Sequence, residues 1–293
     1  MSTISNKARR FCELTITCLV LVGWSLAAQA QGVCTIDNWQ VNDVPAAVGL
    51  DNSNVGQPNE TDADGRAFRR YAGPCGLRVP LDDEPRYVRD GSPAAESEYK
   101  VRFYVFLNDL SGNVLLFEAV DSAGDPLIEI WYDHANSVFA ADMETDSGAE
   151  NLGELPAAPG WNSIQFQWGS VTDEDGVPVE GVNAEFIVNE SNPIRANLDL
   201  KDALLTEARL GNVSGANGGY LDFDDFDSRR SSPPGRLVRG DAANTGSVNS
   251  QDLQAVRNEI LGSAFAAGQP DCTEDGSIGA PDLQCVRNII LGK

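Results

Sequence analysis

Two segments near the carboxyl end carry carboxylates and hydroxyls at the spacing that a hard cation requires. Calcium takes six to eight oxygens, and a twelve-residue loop supplies them from positions 1, 3, 5, 7 and 12 around a glycine at position 6. Residues 241–252 and 271–282 place Gly246 and Gly276 at that sixth position. The predicted oxygen donors, with the two serines acting through their carbonyls, are Asp241, Thr245, Ser247 and Asp252, and then Asp271, Thr273, Asp275, Ser277 and Asp282. We therefore predict two calcium sites.

The two loops differ at position 3. The first loop has Ala243 there, which offers no side-chain oxygen, whereas the second loop has Thr273. Because each missing oxygen weakens the binding of a hard cation, we expect the second site to bind calcium more tightly than the first.

Each loop leads into a copy of the same helical sequence. Residues 252–262 and 282–292 are identical at nine of eleven positions, with a period of 30 residues. Apolar residues recur at i, i+3, i+7 and i+8, which is typical of an amphipathic helix. They are Leu253, Val256, Ile260 and Leu261, and in the second copy Leu283, Val286, Ile290 and Leu291. We predict two helices whose apolar stripes are buried against each other.

At these residues the sequence resembles a type I dockerin, the paired calcium-loop-and-helix module of extracellular polysaccharide-degrading systems. The resemblance covers about residues 239–293. It implies calcium-dependent folding and a cohesin-like protein partner. It also implies that positions 10 and 11 of the loops face that partner, namely Ser250 and Gln251, and Ala280 and Pro281.

The first 30 residues have the layout of a secretory signal. Lys7, Arg9 and Arg10 precede an apolar run over residues 14–28, and the segment ends in Ala28-Gln29-Ala30. The run is shorter than the roughly 20 residues that a membrane span needs, so cleavage is predicted rather than anchoring. We expect a secreted, extracellular protein with no membrane span.

Four cysteines remain after the signal, and export makes them candidates for disulfides. They are Cys34, Cys75, Cys272 and Cys285, and three connectivities are possible. Two cysteines lie in each half of the mature chain, so pairing within the halves is the simplest connectivity. This predicts Cys34–Cys75 and Cys272–Cys285.

Two pairs of acids could serve glycoside cleavage. A retaining glycosidase needs carboxyl groups about 5 to 5.5 Å apart, and residues at i and i+2 of a strand are roughly 7 Å apart on one face. Glu129 and Asp133 lie on one predicted face with Trp131 between them, and Asp222 and Asp224 form a second pair. These are weak catalytic candidates, because the alternative is that they are solvated or capping acids on an acidic protein.

Aromatic residues offer a different chemistry, because sugar rings stack on aromatic faces while polar neighbours bind their hydroxyls. Trp131 and Tyr132 are the candidate ligand-binding residues. Trp161 and Trp168 belong to an apolar strand pattern, which favours a place in the core.

The elements that must position these residues are mainly strands. From Cys34 to about residue 230 the hydrophobic pattern has period two, interrupted by turn sequences. Strands are predicted around Tyr99–Leu107 and at 113–120, 126–132, 206–213 and 220–226. About 200 residues of antiparallel strands predict a mainly β protein, a jelly-roll sandwich with a small α-helical module at its carboxyl end.

Four segments of this region resemble concanavalin A-like, laminin-G-type lectin domains. They are residues 71–79, 92–104, 160–168 and 219–226. The resemblance implies a curved jelly roll whose relatives bind glycans or, with added carboxylates, cut them. The predicted organisation is a signal peptide (1–30), a jelly-roll domain (31–230), a short semi-stiff linker (231–238) and a dockerin-like domain (239–293).

Charge narrows the function further. The chain has 44 Asp and Glu against 21 Lys and Arg, which argues against nucleic-acid binding. A single histidine, His134, excludes a multi-histidine zinc site. We predict a non-catalytic, calcium-binding protein that attaches to extracellular polysaccharide or to a cohesin-like protein. The alternatives are a glycoside hydrolase and an extracellular scaffold protein that binds no sugar.

Overall fold

The computed structural model describes residues 34–39, 47–108 and 110–293. The predicted signal peptide lies outside these residues. The chain from Cys34 to Lys293 forms one compact unit. Both of its α-helices are 11 residues long, and among the described helices none could cross a bilayer.

Alternating apolar and polar residues produce strands throughout the larger part of the described chain. In chain order they are β1 (Ala47–Val48), β2 (Val55–Gly56), β3 (Gly76–Asp82), β4 (Arg86–Asp90), β5 (Tyr99–Leu107), β6 (Val114–Asp121), β7 (Pro126–Asp133), β8 (Val138–Thr145), β9 (Gly148–Pro156), β10 (Trp161–Trp168), β11 (Ala184–Val188), β12 (Ile194–Ala196), β13 (Leu205–Asn212) and β14 (Asn217–Arg229). The predicted strands at 99–107, 113–120, 126–132, 206–213 and 220–226 are confirmed.

The strands form two antiparallel sheets of seven strands each. Sheet 1 has the order β1-β4-β13-β6-β7-β8-β9, and sheet 2 has the order β12-β11-β10-β5-β14-β3-β2. Neighbouring strands in a sheet are often distant in sequence, as β5 is from β14. The predicted antiparallel sandwich is confirmed.

The core lies between the two sheets, because one residue in two along each strand points inward. From β5 these are Tyr99, Val101, Phe103 and Val105, all fully buried. Phe103 stacks on Phe117 of sheet 1 with ring centroids 5.8 Å apart. The outward residues of both sheets are therefore the ones available for other tasks.

The carboxyl-terminal repeat contains the two predicted helices, α1 (Ser250–Ile260) and α2 (Ala280–Ile290). Each begins with an aspartate at its third residue, which accepts a hydrogen bond from the N–H of the N-cap residue. Val256 and Val286 are fully buried in the small core between the helices.

The prediction that the two apolar stripes are buried against each other holds for only the first part of each stripe. The last two positions of each stripe are exposed by 38–66% of their surface, because both helices end where the small core ends. They are Ile260, Leu261, Ile290 and Leu291.

Residues 230–238, which we call the strap, join the sandwich to the repeat. They lie against the outer face of sheet 2 rather than in solvent. Arg102 donates to the carbonyl of Gly235 at 2.7 Å, and the N–H of Leu237 donates to the hydroxyl of Tyr104 at 2.8 Å. The sequence pattern of a semi-stiff linker did not indicate these contacts.

Candidate functional site

The second acidic loop brings its end positions together. The carboxylate of Asp271 accepts a hydrogen bond from the N–H of Gly276 at 2.7 Å, and that of Asp282 accepts from the N–H of Thr273 at 2.9 Å. The hydroxyl of Thr273 lies 2.9 Å from Asp282 Oδ1 and 3.3 Å from Asp271 Oδ1. Positions 1, 3 and 12 therefore direct oxygens towards one another.

The first loop has the same wiring. Asp241 accepts from the N–H of Thr245, and Asp252 accepts from the N–H of Ala243, both at 2.8 Å. The hydroxyl of Thr245 lies 3.1 Å from the carbonyl oxygen of Ser247, so positions 5 and 7 also meet. At position 3 the alanine contributes only its backbone, which leaves this loop one side-chain oxygen short.

The backbone of both loops follows the same path. Positions 4 and 6 have positive φ in each, with Asn244 and Glu274 at 56° and 62° and Gly246 and Gly276 at 81° and 83°. Glycine is favoured at position 6 because the left-handed region strains residues with a Cβ. The duplication in the sequence is thus a duplication of loop geometry.

The end-position carboxylates are buried without a cationic side chain beside them. These carboxylates belong to Asp241, Asp252, Asp271 and Asp282, which are 0–6% exposed. None of the four takes part in an ion pair among the described residues. Burial, together with the nearby Asp282 and Asp275 carboxylates, raises the pKa of Asp271 to about 7. Buried like charges of this kind are relieved by a metal ion or by a proton.

The donor set is made of oxygens. The carboxylate of Asp275 accepts from the N–H of Ser277 at 2.9 Å. No three His, Cys, Asp or Glu side chains of the described residues form a metal-binding group. Carboxylate, hydroxyl and carbonyl oxygens are ligands that suit a hard cation rather than zinc.

Both predicted disulfides are present. Cys34 is bonded to Cys75 in the sandwich, and Cys272 is bonded to Cys285 in the repeat. The second bond joins position 2 of the second loop to α2. It therefore holds that loop against the helix that supplies Asp282.

The residues predicted to face a protein partner are exposed at the first turns of the two helices. They are Ser250, Gln251, Ala280 and Pro281. Pro281 also lines a shallow groove of about 420 Å³ together with Gln284 and Asn288 of α2.

On the outer face of sheet 1, six polar residues lie in one line across six strands. The pairing register places them opposite one another in the order Arg89, Arg209, Glu118, Glu129, Asp142 and Asn151. We call this line the charged row. Arg209 forms an ion pair with Glu118 at 2.5 Å, and Asn151 donates to Asp142 at 2.7 Å.

Trp131 lies beside this row and is partly exposed on the same outer face as Glu129. Burial and the nearby Glu118 carboxylate raise the pKa of Glu129, while a hydrogen bond from Trp131 lowers it. Trp131 is thus an aromatic surface with charged neighbours, and its role in ligand binding stays a prediction. Tyr132 points the other way: it is 6% exposed and packs in the core against Phe139. The prediction of Tyr132 as a ligand-binding residue is wrong, because strand alternation turns it inward.

The first catalytic pair is not supported by the geometry. The carboxylate of Asp133 accepts hydrogen bonds from Ala135 and Asn136 and caps the turn after β7. Asp133 is four residues from Glu129, a separation of roughly 13 Å along a strand. The two carboxyl groups cannot flank one glycosidic bond.

The second pair lies on the outer face of sheet 2, in contact with the segment 69–72 and with Arg78. Asp222 is fully buried and accepts from Arg78 at 2.8 Å and from Arg69 at 3.3 Å, so it is a structural ion-pair partner. Asp224 accepts from the N–H of Tyr71 at 2.5 Å, and burial raises its pKa to about 7. Neither carboxylate is accessible to a polymer.

Sequence reasoning missed several residues of this covered face. Glu274 occupies position 4 of the second loop, where no metal ligand is expected, yet it accepts from the hydroxyl of Tyr71 at 2.6 Å. Arg70 forms a buried ion pair with Glu259 of α1. The only sequence signal was an acid at a non-ligand position, and nothing in the pattern identified its partner.

No protein-family profile matches the sequence, and no curated protein matches it. Among solved structures, alginate lyase AlyC3 in complex with dimannuronate is 11% identical, with 54% of this chain and 75% of that chain covered and a TM-score of 0.38. Alginate lyase Aly36B is 10% identical over 64% of this chain and 88% of that one, with a TM-score of 0.41. The cellulose-induced protein Cip1 is 14% identical over 67% and 90%, with a TM-score of 0.40. Likenesses this remote do not assign an activity to this chain.

Proposed function

We propose that this is a calcium-binding, non-catalytic protein that attaches to extracellular polysaccharide. The observation that carries the calcium part is the pair of loops whose carboxylates at positions 1 and 12 are buried, accept equivalent hydrogen bonds and have no cationic partner among the described residues. The two disulfides support an oxidising, extracellular compartment.

In each loop the residues at positions 1 and 12 would hold the ion, with the hydroxyl and carbonyl oxygens beside them. A bound calcium ion would supply the positive charge that the buried carboxylates lack. Asp282 also caps α2 through the N–H of Gly279, at 2.8 Å, so ordering the loop also orders the start of the helix.

Calcium binding is testable on the mature chain by calorimetry and by thermal melting. We expect two binding events and a lower melting temperature in excess chelator, because removing the ions leaves the carboxylates buried and unpaired. Asp271→Ala is expected to lower the calcium-loaded melting temperature more than Asp241→Ala, since the second loop has the fuller donor set. The exposed Asp146→Ala is the control. No heat on adding calcium, with an unchanged melt in chelator, would remove the calcium proposal.

Polysaccharide attachment is supported by the partly exposed Trp131 beside the charged row. A sugar ring can stack on the indole while Glu129 accepts from a sugar hydroxyl, and the open sheet face accommodates an extended chain. Retention of the mature protein on a panel of insoluble polysaccharides tests this. We expect Trp131→Ala to weaken retention about tenfold, as for a central tryptophan at a binding surface.

The matched control for retention is Leu291→Ala, which removes an apolar side chain that is 52% exposed on the repeat. It is expected to leave retention unchanged. Equal retention of wild type and Trp131→Ala would exclude this surface. Absence of retention on every polysaccharide would favour the scaffold alternative.

Glycoside cleavage stays a second candidate because Glu129 lies directly opposite Glu118 and Asp142 on its two neighbouring strands. Residues paired across strands have Cβ atoms about 5 Å apart, so their carboxyl groups can approach the separation of about 5 to 5.5 Å that a retaining pair needs, and the raised pKa of Glu129 suits a general acid. Reducing-sugar release by wild type that is lost in Glu129→Gln would make the protein an enzyme. No release, with binding intact, supports the non-catalytic proposal.

A further inference from the structure

The outer face of sheet 2 is polar yet covered. Such a face normally meets water, but its charged residues on the central strand β5 are nearly inaccessible: Lys100 and Arg102 are 0% and 4% exposed. The strap runs along β5: Lys100 donates to the carbonyl of Arg230, and Arg102 donates to that of Gly235. The strap therefore closes the middle of the face.

The second loop closes the end of the same face. The N–H of Trp161 donates to the carbonyl of Glu274 at 2.9 Å, and the carboxylate of Glu274 accepts from Tyr71 and from Arg236 of the strap. Tyr71 and Trp161, together with Tyr104, form a separate aromatic cluster that is at most 2% exposed. Strap and loop thus cover three aromatic side chains on a sheet face.

The residue through which the second loop contacts the sandwich lies between two predicted calcium ligands. Glu274 is position 4 of the second loop, between Thr273 and Asp275. The equivalent residue of the first loop, Asn244, is exposed. Among the described residues, its N–H donates to the carbonyl of Asp241 within the same loop. The sandwich therefore contacts the second loop through Glu274, whereas the equivalent Asn244 makes no hydrogen bond to the sandwich among the described residues.

We propose that an ion in the second loop latches the repeat and the strap over the outer face of sheet 2. The latch rests on the proposed calcium function. Binding of an ion by Thr273 and Asp275 restricts the backbone of residues 273–275. Contact of Glu274 with the sandwich restricts the same three residues. Each event therefore favours the other, and the coupling is reciprocal. Loss of the ion opens the face and exposes Tyr71, Tyr104 and Trp161.

Two pairs of variants test the latch without touching a predicted ligand. Gly160→Ala places a Cβ onto the carbonyl oxygen of Glu274, at a residue with φ of +90°. Gly124→Ala is its control, because φ is +86° and nothing lies within 4 Å of the added Cβ. Tyr71→Phe removes only the hydroxyl that Glu274 accepts from. Tyr99→Phe is its control, since that hydroxyl donates to Asp90 away from the repeat.

Calcium is titrated into the intact mature chain against a competing chelator, and hydrogen exchange of residues 161–168 and 230–238 is followed with and without calcium. We expect Gly160→Ala and Tyr71→Phe to weaken one of the two calcium steps about fivefold or more, the lower end of common coupling strengths. We also expect chelator to speed exchange in both segments of the wild type. The two controls should match the wild type in calcium affinity.

The outcomes separate the latch from the calcium site itself. Two calcium steps of unchanged affinity in both docking variants, with exchange insensitive to chelator, would overturn the latch and leave the calcium proposal standing. Absence of any calcium step in the wild type would overturn both. Weakening by Tyr71→Phe alone would still support the latch if Gly160→Ala fails to fold.

Discussion

At the scale of single residues, burial separates acids that look alike in the sequence. Asp222 and Asp224 occupy the same strand face, but Asp222 is matched by two arginines while Asp224 is held by backbone N–H groups alone. Desolvation then raises the pKa of Asp224 to about 7, with the neighbouring Asp225 adding to the effect. An acid that resembles a catalytic residue in sequence is here a buried group that stays protonated at mildly acidic pH.

Asp224 makes stability depend on pH. Because its pKa is higher in the folded chain than the ordinary 3.8, its contribution is complete below pH 3.8 and is lost as the pH increases through about 7. Asp224→Asn keeps a neutral acceptor at every pH. We expect its melting temperature to fall less than that of the wild type between pH 5 and pH 8, with calcium held constant. The exposed Asp146→Asn is the control, and a fall of equal size in Asp224→Asn would contradict the assignment.

At the scale of elements, the second loop-and-helix repeat contains a disulfide that the first repeat lacks. Cys272 and Cys285 of the second repeat correspond, 30 residues earlier, to Ala242 and Ala255 of the first. The side chains at position 2 are fully buried in both copies, so the small core accepts either residue. The first repeat is therefore a natural version of the second without its disulfide.

Replacing the two cysteines of the second repeat by alanine, as in the first repeat, tests the role of the disulfide. The double variant Cys272→Ala/Cys285→Ala is expected to lower the free energy of unfolding by about 3 kcal/mol, from the entropy of the opened loop. It should also weaken calcium binding at the second loop, because position 2 is no longer tied to α2. Denaturant unfolding measures the loss of stability, and calcium titration measures the loss of affinity. Cys34→Ala/Cys75→Ala should destabilise the sandwich and leave the calcium affinities unchanged, and calcium binding unaffected by the first double variant would count against this role of the disulfide.

At the scale of the whole molecule, the repeat is docked on the sandwich instead of being carried on a free linker. Arg70 of the sandwich donates to both carboxylate oxygens of Glu259 at 2.6 Å, and the two side chains are 0% and 6% exposed. A buried ion pair of this kind is costly to break on one side, because the remaining charge has no partner. Together with the strap and the second loop, it makes the two parts of the chain a single compact unit.

Removing one charge of the Arg70–Glu259 pair should lower the free energy of unfolding more than removing both charges. Arg70→Met is expected to cost about 3–5 kcal/mol of stability because Glu259 is left buried and charged. Arg70→Met/Glu259→Gln should recover part of that loss, since the amide still accepts from the N–H of Ala266. Denaturant unfolding of the four proteins of the cycle measures the coupling. Arg66→Met, in an exposed pair with Asp64, should cost under about 1 kcal/mol, and an equal cost for Arg70→Met would refute the buried pair.

Much of the architecture was readable from local patterns. Period-two runs predicted the strands, the 30-residue repeat predicted both helices, and the positions of four cysteines made the observed pairing the simplest. Local patterns failed where alternation or packing decided orientation. Tyr132 follows Trp131 directly and therefore points into the core, and Ile260 and Leu261 continue a stripe beyond the core that would bury them.

The amino-acid sequence by itself determined the element types, the loop spacing, the donor chemistry and the candidate stacking residue, because each depends on neighbours within about a dozen positions. Only the tertiary structure decided which acids are accessible and which face of the sandwich is free. Strand order brings β7 beside β6 and β8 and aligns Glu118, Glu129 and Asp142, and chain folding carries Glu274 onto Tyr71 from 203 positions away. Contacts over such separations depend on the packing of the whole chain, and local periodicity contains no signal of them.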